Sequence, residues 1–524
     1  MTAIALDFGT SNTVVCRRDP VSGEARTLAL PGLTRTLMGK VPTHVVPSLV
    51  YLEQPPIFGE TIRARRLGFV EPRRFCQGFK RDLAAQFRPP ARLLDSETYD
   101  AETIAAMFLQ AVWQETANTV GPIEKAIATV PVGAFEVYLD WYRDLAQDLG
   151  WPALQIVDES TAAALGYAVP QRDVPILVVD FGGGTLDLSL IRTTGKAGDA
   201  IRAEIIAKAD ACVGGLDIDT WIVDRHLRHL GMDREAVGDV GWLNLLEMAE
   251  RLKINLSREE ESQESWFDDE RFIAHEIRLS RGELADILEE NQLLEQLRQT
   301  LDEVLAIAAG KGVAKNQIEK VLLVGGSCKL AAVQQTLVAY FGKQRVAGDR
   351  PFTAVAAGAL ELDRDIEIAD YLRHTYAIRL WDPYSRTYSY YPLFEKGTAY
   401  PCQRLEPLIL QAASDGQPEI HLDIGEVAEA SGVEVTYDAQ GRMNSGRLIR
   451  REDFRSLVDA RNVKPLAGQE VDVCVARLTP PGRCGEDRID VRFEVDAART
   501  LLATVKDLQH QTLLVDRRAI AKLK

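Results

Sequence analysis

Residues 178–190 read VVDFGGGTLDLSL, and residues 4–15 read IALDFGTSNTVV. Each stretch has an apolar run that ends in Asp-Phe-Gly, then small and hydroxyl residues, then a second alternating run. This pattern predicts a β-hairpin with a narrow tip, where glycine lets a ligand approach the backbone. Successive amides at such a tip bind anions, and the Asp at each strand end can hold Mg²⁺ through water. Two facing copies would clasp a polyphosphate from both sides.

A glycine-rich turn by itself is more often an ordinary hairpin than a phosphate site. A protein kinase, which also carries Asp-Phe-Gly, would need a catalytic HRD loop and a strand lysine in a VAIK-like context, and the sequence has neither. Neither turn matches GxGxxG or GxxxxGK(S/T), which argues against the dinucleotide-binding and P-loop classes.

Two further stretches support a nucleotide site. Residues 321–330, VLLVGGSCKL, predict a strand followed by a glycine pair that a flat or anionic ligand can approach closely. Residues 247–257, EMAERLKINLS, place three polar side chains on one helical face opposite the leucines. Alone, such a stripe would be a solvated surface. Its position between the second turn and the glycine pair favours a role beside adenosine.

Length and composition limit the class of protein. A chain of 524 residues is too long for one ordinary core, so several domains are expected. The net charge of −16 argues against a nucleic-acid or anionic-membrane surface. Seven scattered Cys without a CxxC pair indicate reduced thiols. Without a signal-peptide pattern or a membrane-length apolar run, the expected location is cytoplasmic.

The pattern of predicted secondary structure changes near residue 365. Before it, buried strands predicted at 125–130, 175–180 and 320–326 alternate with helical stretches such as 131–150 and 281–309, which indicates an α/β architecture. After it, residues 376–517 contain short alternating segments separated by turn signals such as SDGQP and PPGRCGED. That texture is typical of a β-rich unit.

The order of these motifs resembles the heat-shock protein 70 family of the actin-like ATPase superfamily. The resemblance rests on LDFGTSN (6–12), ATVPVGAF (128–135), VDESTAAALGYA (157–168), VVDFGGGTLDLSL (178–190), VGGLDID (213–219), AERLKINLS (249–257) and VLLVGGSCKL (321–330). DESTAAALGYA is the most family-specific of them, and the match is strong over about residues 1–360. A weaker match continues in FEKGTAYP (394–401), QAASDGQPEIHLDIGE (411–426) and IDVRFEVDAARTLLATVKD (489–507).

The resemblance implies a fold and its domains. Residues 1–365 would form a two-lobed, ribonuclease H-like α/β ATPase domain that binds ATP or ADP with Mg²⁺. Residues 366–375 would be the interdomain linker, and residues 376–524 a β-sandwich-like substrate-binding domain without the family's helical lid.

The resemblance also implies residue roles. The catalytic group would be Lys80, Glu159, Asp180 and Thr185, with Lys80 orienting the attacking water and meeting the γ-phosphate. The magnesium shell would comprise Asp7, Asp180 and Asp187. The nucleotide-binding group would be Gly9, Thr10, Ser11, Asn12, Gly182, Gly183, Gly184, Thr185, Gly214, Gly215, Glu250, Lys253, Ser257, Gly325, Gly326 and Lys329.

Several positions depart from the family pattern. Lys329 stands where the family has an adenine-stacking Arg, and Lys lacks the planar guanidinium. Phe352 replaces an acidic residue of the family's PDEAVA stretch. In IEIADYL (366–372), Glu367 and Asp370 interrupt the family's Leu-rich linker, which weakens apolar docking.

The expected function is therefore a slow ATPase with a chaperone-like role in protein folding and stress response. Its expected partners are unfolded or extended polypeptide and co-chaperones, with no nucleic acid and no membrane. The altered linker and absent lid leave open a nucleotide-dependent switch, scaffold or actin-like polymer. A small-molecule kinase of the same fold is a third alternative, against which DESTAAALGYA and the β-rich part argue.

Overall fold

A computed structural model describes most of the 524-residue chain. The described residues are 2–39, 41–84, 89–131, 136–167, 174–194, 202–362, 372, 375–382, 387–395, 398, 400–437, 443–457, 473–496 and 499–523. The chain divides into two compact units, Met1–Ile368 and Ala369–Lys524. The predicted linker, residues 366–375, lies outside the described residues apart from Leu372 and Thr375.

The first unit combines strands and helices, as the alternation of its sequence predicts. Its strands are β1 (Ala3–Asp7), β2 (Asn12–Arg18), β3 (Ala25–Thr27), β4 (Arg35–Leu37), β5 (Thr43–Pro47), β6 (Leu49–Tyr51), β7 (Ile57–Phe58), β8 (Phe75–Gln77), β9 (Arg92–Leu94), β10 (Glu97–Tyr99), β11 (Lys125–Val130), β12 (Ala153–Asp158), β13 (Pro175–Phe181), β14 (Leu186–Thr194), β15 (Arg202–Ala211), β16 (Glu261–Asp268), β17 (Ile273–Ser280), β18 (Lys320–Val324) and β19 (Val346–Ala347).

The helices of the first unit flank these strands. They are α1 (Glu60–Ala64), α2 (Phe79–Ala84), α3 (Ala101–Val120), α4 (Glu136–Asp148), α5 (Glu159–Gly166), α6 (Gly215–His229), α7 (Arg234–Leu256), α8 (Arg281–Glu290), α9 (Leu293–Gly310), α10 (Ala331–Phe341) and α11 (Ala354–Glu361). The helical stretch predicted over 281–309 is two helices, because Gln292 takes a left-handed conformation (φ 59°) between α8 and α9. Such a conformation ends a helix.

Two sheets of the first unit repeat one arrangement. In the first, the order is β12-β11-β1-β2-β5-β4, with β1 antiparallel to β2 and parallel to β11. In the second, the order is β15-β14-β13-β18-β19, with β13 antiparallel to β14 and parallel to β18. The two quoted stretches are therefore the hairpins β1-β2 and β13-β14, as predicted. Each hairpin stands at the centre of its own sheet.

A buried core between the two sheets holds α5 and α11. Its alanines and branched side chains come from both sheets and both helices, for example Ala5, Val178 and Ala359, each almost fully buried. The helices meet through glycine. A Cβ at Gly358 would lie 1.7 Å from the Ala162 carbonyl oxygen, and a Cβ at Gly166 would lie 1.8 Å from the Ala354 carbonyl oxygen. No side chain fits there, so the contact is backbone against backbone.

The second unit is built of antiparallel strands, as its alternating sequence predicts. They are β20 (Thr375–Asp382), β21 (Thr387–Phe394), β22 (Cys402–Gln403), β23 (Leu408–Gln411), β24 (Gln417–Tyr437), β25 (Met443–Ser456), β26 (Val473–Gly482), β27 (Asp487–Val495), β28 (Thr500–Asp507) and β29 (Leu513–Lys522). One sheet runs β21-β20-β24-β25, with β26 also on β24, and the other runs β22-β27-β28-β29, with β23 on β27. One apolar core joins both sheets, with Tyr376, Ile424 and Phe493 fully buried.

Candidate functional site

The first loop, residues 7–12, turns tightly between β1 and β2. A Cβ at Gly9 would lie 2.1 Å from the Asn12 carbonyl oxygen, so only glycine fits. Ser48, between β5 and β6, fixes the loop, because its hydroxyl donates to the Gly9 carbonyl at 2.7 Å and its amide donates to the Ser11 carbonyl at 3.0 Å. Thr129 at the end of β11 donates to Asp7 Oδ1 at 2.9 Å.

The second loop, residues 180–187, lies directly against the first. A Cβ at Gly183 would lie 1.9 Å from Ser11 Oγ, and a Cβ at Gly184 would lie 2.9 Å from Thr10 Cγ2. The Gly182 amide donates to the Thr185 carbonyl at 3.1 Å and closes the tip. The structure therefore brings together the two turns that the sequence predicts to face each other.

Helix α6 begins at this junction. The Gly215 amide donates to the Gly182 carbonyl at 3.1 Å, and the Leu216 amide donates to the Gly183 carbonyl at 2.9 Å. A Cβ at Gly214 would lie 2.4 Å from the Gly183 carbonyl. Gly214 and Gly215 thus contact the backbone of the second loop. Their predicted contact with a nucleotide stays a prediction.

Lys80 is buried and paired. It lies on α2, and its Nζ donates to Glu159 Oε1 at 2.9 Å, with the two side chains only 9% and 11% exposed. Glu159 is the first residue of α5, whose N-cap Asp158 accepts the Thr161 amide. Burial alone would lower the pKa of Lys80, but the Glu159 carboxylate and neighbouring groups outweigh it and raise this pKa. Lys80 is therefore not an ordinary solvated lysine.

Half-buried carboxylates from both loops lie near this pair. Burial, with repulsion from Glu159, raises the pKa of Asp7 to about 6. Burial also raises the pKa of Asp187 to about 6, against the Thr185 hydroxyl that lowers it. Burial and repulsion from Glu159, Asp187 and Asp7 raise the pKa of Asp180 well above its usual range. Such mutual repulsion is relieved when a cation lies among the groups.

These carboxylates do not form a ligand cage. Among the described residues, no group of three or more His, Cys, Asp or Glu side chains is arranged to hold a metal ion directly. Carboxylates can also hold magnesium through water, and magnesium usually keeps several waters when it binds phosphates.

Helix α7 carries the two charged residues predicted to border adenosine. Both oxygens of Glu250 contact the Arg63 guanidinium, at 2.9 and 3.2 Å. Lys253 Nζ lies 2.7 Å from the Asp219 carboxylate and donates to the Gly215 carbonyl at 2.7 Å. Burial raises the pKa of Asp219 to about 7, although Lys253 lowers it. Ser257 caps the end of the same helix.

The glycine pair after β18 borders the same region. Gly325 has φ of 82°, and a Cβ there would lie 2.2 Å from the Phe181 carbonyl oxygen. The Ser327 hydroxyl donates to the Gly182 carbonyl at 2.8 Å. Lys329 Nζ lies 4.6 Å from the centroid of the Phe352 ring, a cation–π pair.

A cleft of about 1590 Å³ runs along the two loops, α6, α7 and the turn after β18, whereas Lys80, Glu159, Asp7, Asp180 and Asp187 lie outside its lining. Its lining includes Ser11, Asn12, Gly182, Gly183, Gly215, Glu250, Lys253, Ser257, Gly326 and Lys329 from the predicted nucleotide-binding group. It also includes residues that sequence reasoning did not assign: Arg35, Asp219, Arg350 and Phe352. Asp219 could have been found, since it lies one helical turn after Gly215. Arg35 carries no local signal, because β4 brings it to the cleft through strand pairing.

Arg81 links α2 to the start of α6, close to the two loops. Its guanidinium contacts Asp217 at 3.0 and 3.1 Å and donates to the Cys212 carbonyl at 3.0 Å. Asp217 in turn accepts the Gly214 amide at 2.8 Å. The neighbour of Lys80 in sequence thus has a separate role in joining α2 to α6.

In the part of the chain that the structure describes, no helix is long and apolar enough to span a membrane.

Comparison with known proteins adds three findings. A family model described as Hsp70 protein matches residues 90–362, just over half of the chain. The chain is similar to the chaperone protein DnaK of Cenarchaeum symbiosum, 25% identical over 97% of this chain and 71% of that protein, and to that of Nitrosopumilus maritimus, 25% identical over 97% and 74%. The chaperone protein DnaK of Deinococcus proteolyticus is 26% identical over 79% of this chain and 61% of its own length.

Proposed function

The chain belongs to the Hsp70 family of ATP-dependent chaperones, and we propose that the cleft between its two loops binds and hydrolyses ATP. This membership confirms the predicted family and the predicted fold, an actin-like α/β ATPase domain followed by a β-rich domain. The roles of individual residues in this chain are part of the proposal.

The observation that carries the proposal is the apposition of the two loops. Gly183 lies so close to Ser11 that a Cβ would meet the hydroxyl at 1.9 Å. Backbone amides and hydroxyls from both loops would therefore surround the same phosphates. The residues assigned here are Gly9, Thr10, Ser11 and Asn12 in the first loop and Gly182, Gly183, Gly184 and Thr185 in the second.

Members of the family bind ATP or ADP with magnesium, and the carboxylates here fit such an ion. Asp7, Asp180 and Asp187 are half-buried at the ends of the two hairpins, and burial together with their mutual repulsion raises their pKa values, so a cation among them would stabilise the charged forms. Bound magnesium would neutralise charge on the β- and γ-phosphates. We assign these three residues to its shell, in contact through water.

Lys80 and Glu159 would act on the attacking water. The Glu159 carboxylate at 2.9 Å holds the lysine in place, and the ammonium can stabilise charge that develops on the γ-phosphate. Such a reaction depends mostly on positioning and electrostatics. The Thr185 hydroxyl, bonded to Asp187, would position the γ-phosphate beside the second loop.

The nucleoside would lie at the outer part of the cleft. Glu250, Lys253 and Ser257 line this part of the cleft from α7, and Gly215 and Gly326 line it from α6 and from the turn after β18. Gly214 and Gly325 pack against the backbone of the second hairpin and would support the nucleotide site from behind. Lys329 with Phe352 gives that ring an apolar and cationic neighbour in place of a planar guanidinium.

The second unit is the part we propose to bind extended or unfolded polypeptide. The support is the weak match of its sequence to the family's substrate-binding domain, together with the similarity of the chain to proteins named as chaperones. Leu405 between β22 and β23 is 99% exposed, and Ile409 on β23 is 41% exposed, so apolar side chains are presented to solvent. Dependence on co-chaperones and a cytoplasmic location remain proposals of the same kind.

The test measures phosphate release by the full chain with Mg²⁺ and ATP, with and without an unfolded polypeptide such as reduced, carboxymethylated lactalbumin. The proposal expects slow release that the polypeptide changes. Tight ATP binding without any release would instead favour the nucleotide switch or scaffold. Transfer of phosphate to a metabolite faster than to water would favour the kinase alternative.

A further inference from the structure

Arg35 reaches the nucleotide cleft from an edge strand. It lies on β4, which pairs with β5 through Arg35 and Val45, and β5 pairs with β2 through Asn12 and Pro47. The Arg35 side chain reaches across β5 to the first loop, where its Nη2 donates to Asn12 Oδ1 at 3.1 Å. Asn12 is the last residue of the first loop. A guanidinium is thus held beside that loop by a strand outside every motif quoted above.

The Arg35 guanidinium has hydrogen-bonding capacity to spare. Its Nε is buried from solvent, and among the described residues it has no hydrogen-bond partner. Leaving a buried donor unsatisfied destabilises the protein, and more so when the donor is charged. A side chain kept in that state at the wall of a ligand cleft indicates an acceptor that arrives with the ligand.

The neighbouring acidic side chains do not fully neutralise the positive charge of the Arg35 guanidinium. Glu250 attracts Arg35, but both of its oxygens already contact Arg63. Burial lowers the pKa of Arg35, and repulsion from Arg63 lowers it further. Glu60 also attracts it, yet within the described part of the chain Glu60 Oε2 has no hydrogen-bond partner either. The acceptor is therefore either Glu60, after a small rearrangement, or an anion in the cleft.

We infer that Arg35 is a further nucleotide contact, which donates from its guanidinium to a phosphate oxygen of the nucleotide that the first loop holds. The inference rests on the proposed function. It is favoured over a purely structural role because Arg35 lines the cleft together with Ser11 and Asn12, and because a guanidinium fork matches phosphate oxygens. Arg35 would add a cation to a cleft in which Lys329 replaces an arginine.

The test compares Arg35→Gln, Arg35→Lys and Glu60→Gln with the parent full chain. Calorimetric titration with ATP, ADP and adenosine, in magnesium, gives the dissociation constant of each. We expect Arg35→Gln to weaken ATP and ADP by about 10- to 100-fold, as for a hydrogen bond to a charged group, and adenosine by less than about 3-fold. Arg35→Lys should recover part of the loss, and Glu60→Gln should change none of the three by more than about 3-fold.

Three results would overturn the inference. They are equal losses for adenosine and ATP, unchanged affinities in Arg35→Gln, and a loss in Glu60→Gln as large as in Arg35→Gln. The last would show that Glu60 is the partner and that the effect on the loop is indirect. If the parent chain binds no nucleotide, the proposed function itself fails, which is a separate outcome. Thermal unfolding midpoints identify any variant that loses affinity only because it is unfolded.

Discussion

Lys80 on α2 donates to Glu159 on α5 across 2.9 Å, and neither side chain is more than about a tenth exposed. The two residues are 79 positions apart in sequence, and their ion pair joins α2 to α5. It also holds the Lys80 ammonium in a fixed position near both loops. A buried ion pair adds little stability on balance, since desolvation offsets most of the attraction. Under the proposed function, the pair serves the chemistry at the phosphates and adds little to the stability of the fold.

We predict that Lys80→Ala lowers ATP hydrolysis by about 10²–10³-fold, the usual cost of removing one preorganised charge-stabilising donor. ATP affinity should change by only a few-fold, because the loops supply most phosphate contacts. Thr185→Ala should also lower hydrolysis more than binding. Single-turnover hydrolysis and ATP titration separate the two quantities. The control is Lys343→Ala, which removes an exposed lysine. Unchanged hydrolysis in both site variants would refute the assigned roles.

We predict that Phe352→Ala weakens ATP by roughly tenfold, as expected for the loss of an aromatic contact to a base. Affinity for inorganic triphosphate, which has no base, should stay the same. Competition binding with both ligands measures the difference. Phe267→Ala serves as the control, since Phe267 on β16 is 51% exposed. Equal weakening of ATP and triphosphate would mean that Phe352 only shapes the cleft.

A buried histidine pair should make the first unit sensitive to mild acid. His226 Nε2 lies 3.2 Å from His275 Nδ1, and His275 stacks on Trp266. Burial and the neighbouring His275 lower the pKa of His226 to about 4, and burial lowers that of His275. In the unfolded chain these histidines have an ordinary pKa near 6.5, so below that pH the unfolded chain binds more protons than the folded chain does. Stability is therefore present above pH 6.5 and is lost as pH falls towards 4.

We expect the thermal midpoint to fall between pH 7.5 and pH 5, and to fall less in His226→Gln. Scanning calorimetry at both values gives the comparison. His510→Gln, at an exposed position of the second unit, should keep a fall close to that of the parent. An identical fall in parent and His226→Gln would show that the pair does not control this sensitivity.

The helix crossing gives a prediction about stability. Gly358→Ala should lower the free energy of unfolding by about 1–3 kcal/mol, because the new Cβ meets the Ala162 carbonyl and the backbones must separate. Gly310→Ala, at the end of α9 with open space around it, should be neutral or stabilising by up to about 1 kcal/mol. Denaturant unfolding of both variants checks the contrast. Equal effects would show that the crossing tolerates a side chain.

The features that the sequence predicted well are local. The hairpins around Asp7 and Asp180, the glycine pair at Gly325 and the β-rich character of the second unit follow from turn chemistry and short-range periodicity. The resemblance to a family then indicated Lys80, whose burial no local pattern predicts.

The features that the sequence did not reveal depend on tertiary placement. Arg35 reaches Asn12 only because β4 and β5 pair beside β2, and Arg63 meets Glu250 across 187 residues of chain. The break at Gln292 overrode a continuous helical pattern. Side-chain pairs of this kind leave no periodic trace, so they required coordinates.

The crossing of α5 and α11 has a consequence for how the lobes can vary. Because the backbones of Gly166 and Gly358 are in direct contact, no side chain at the crossing can change its rotamer to accommodate a substitution. Changes elsewhere in the core can be accommodated by repacking of side chains, but the distance between the axes of α5 and α11 at the crossing is fixed by the two backbones. The sequence around the crossing can therefore vary while this distance stays constant.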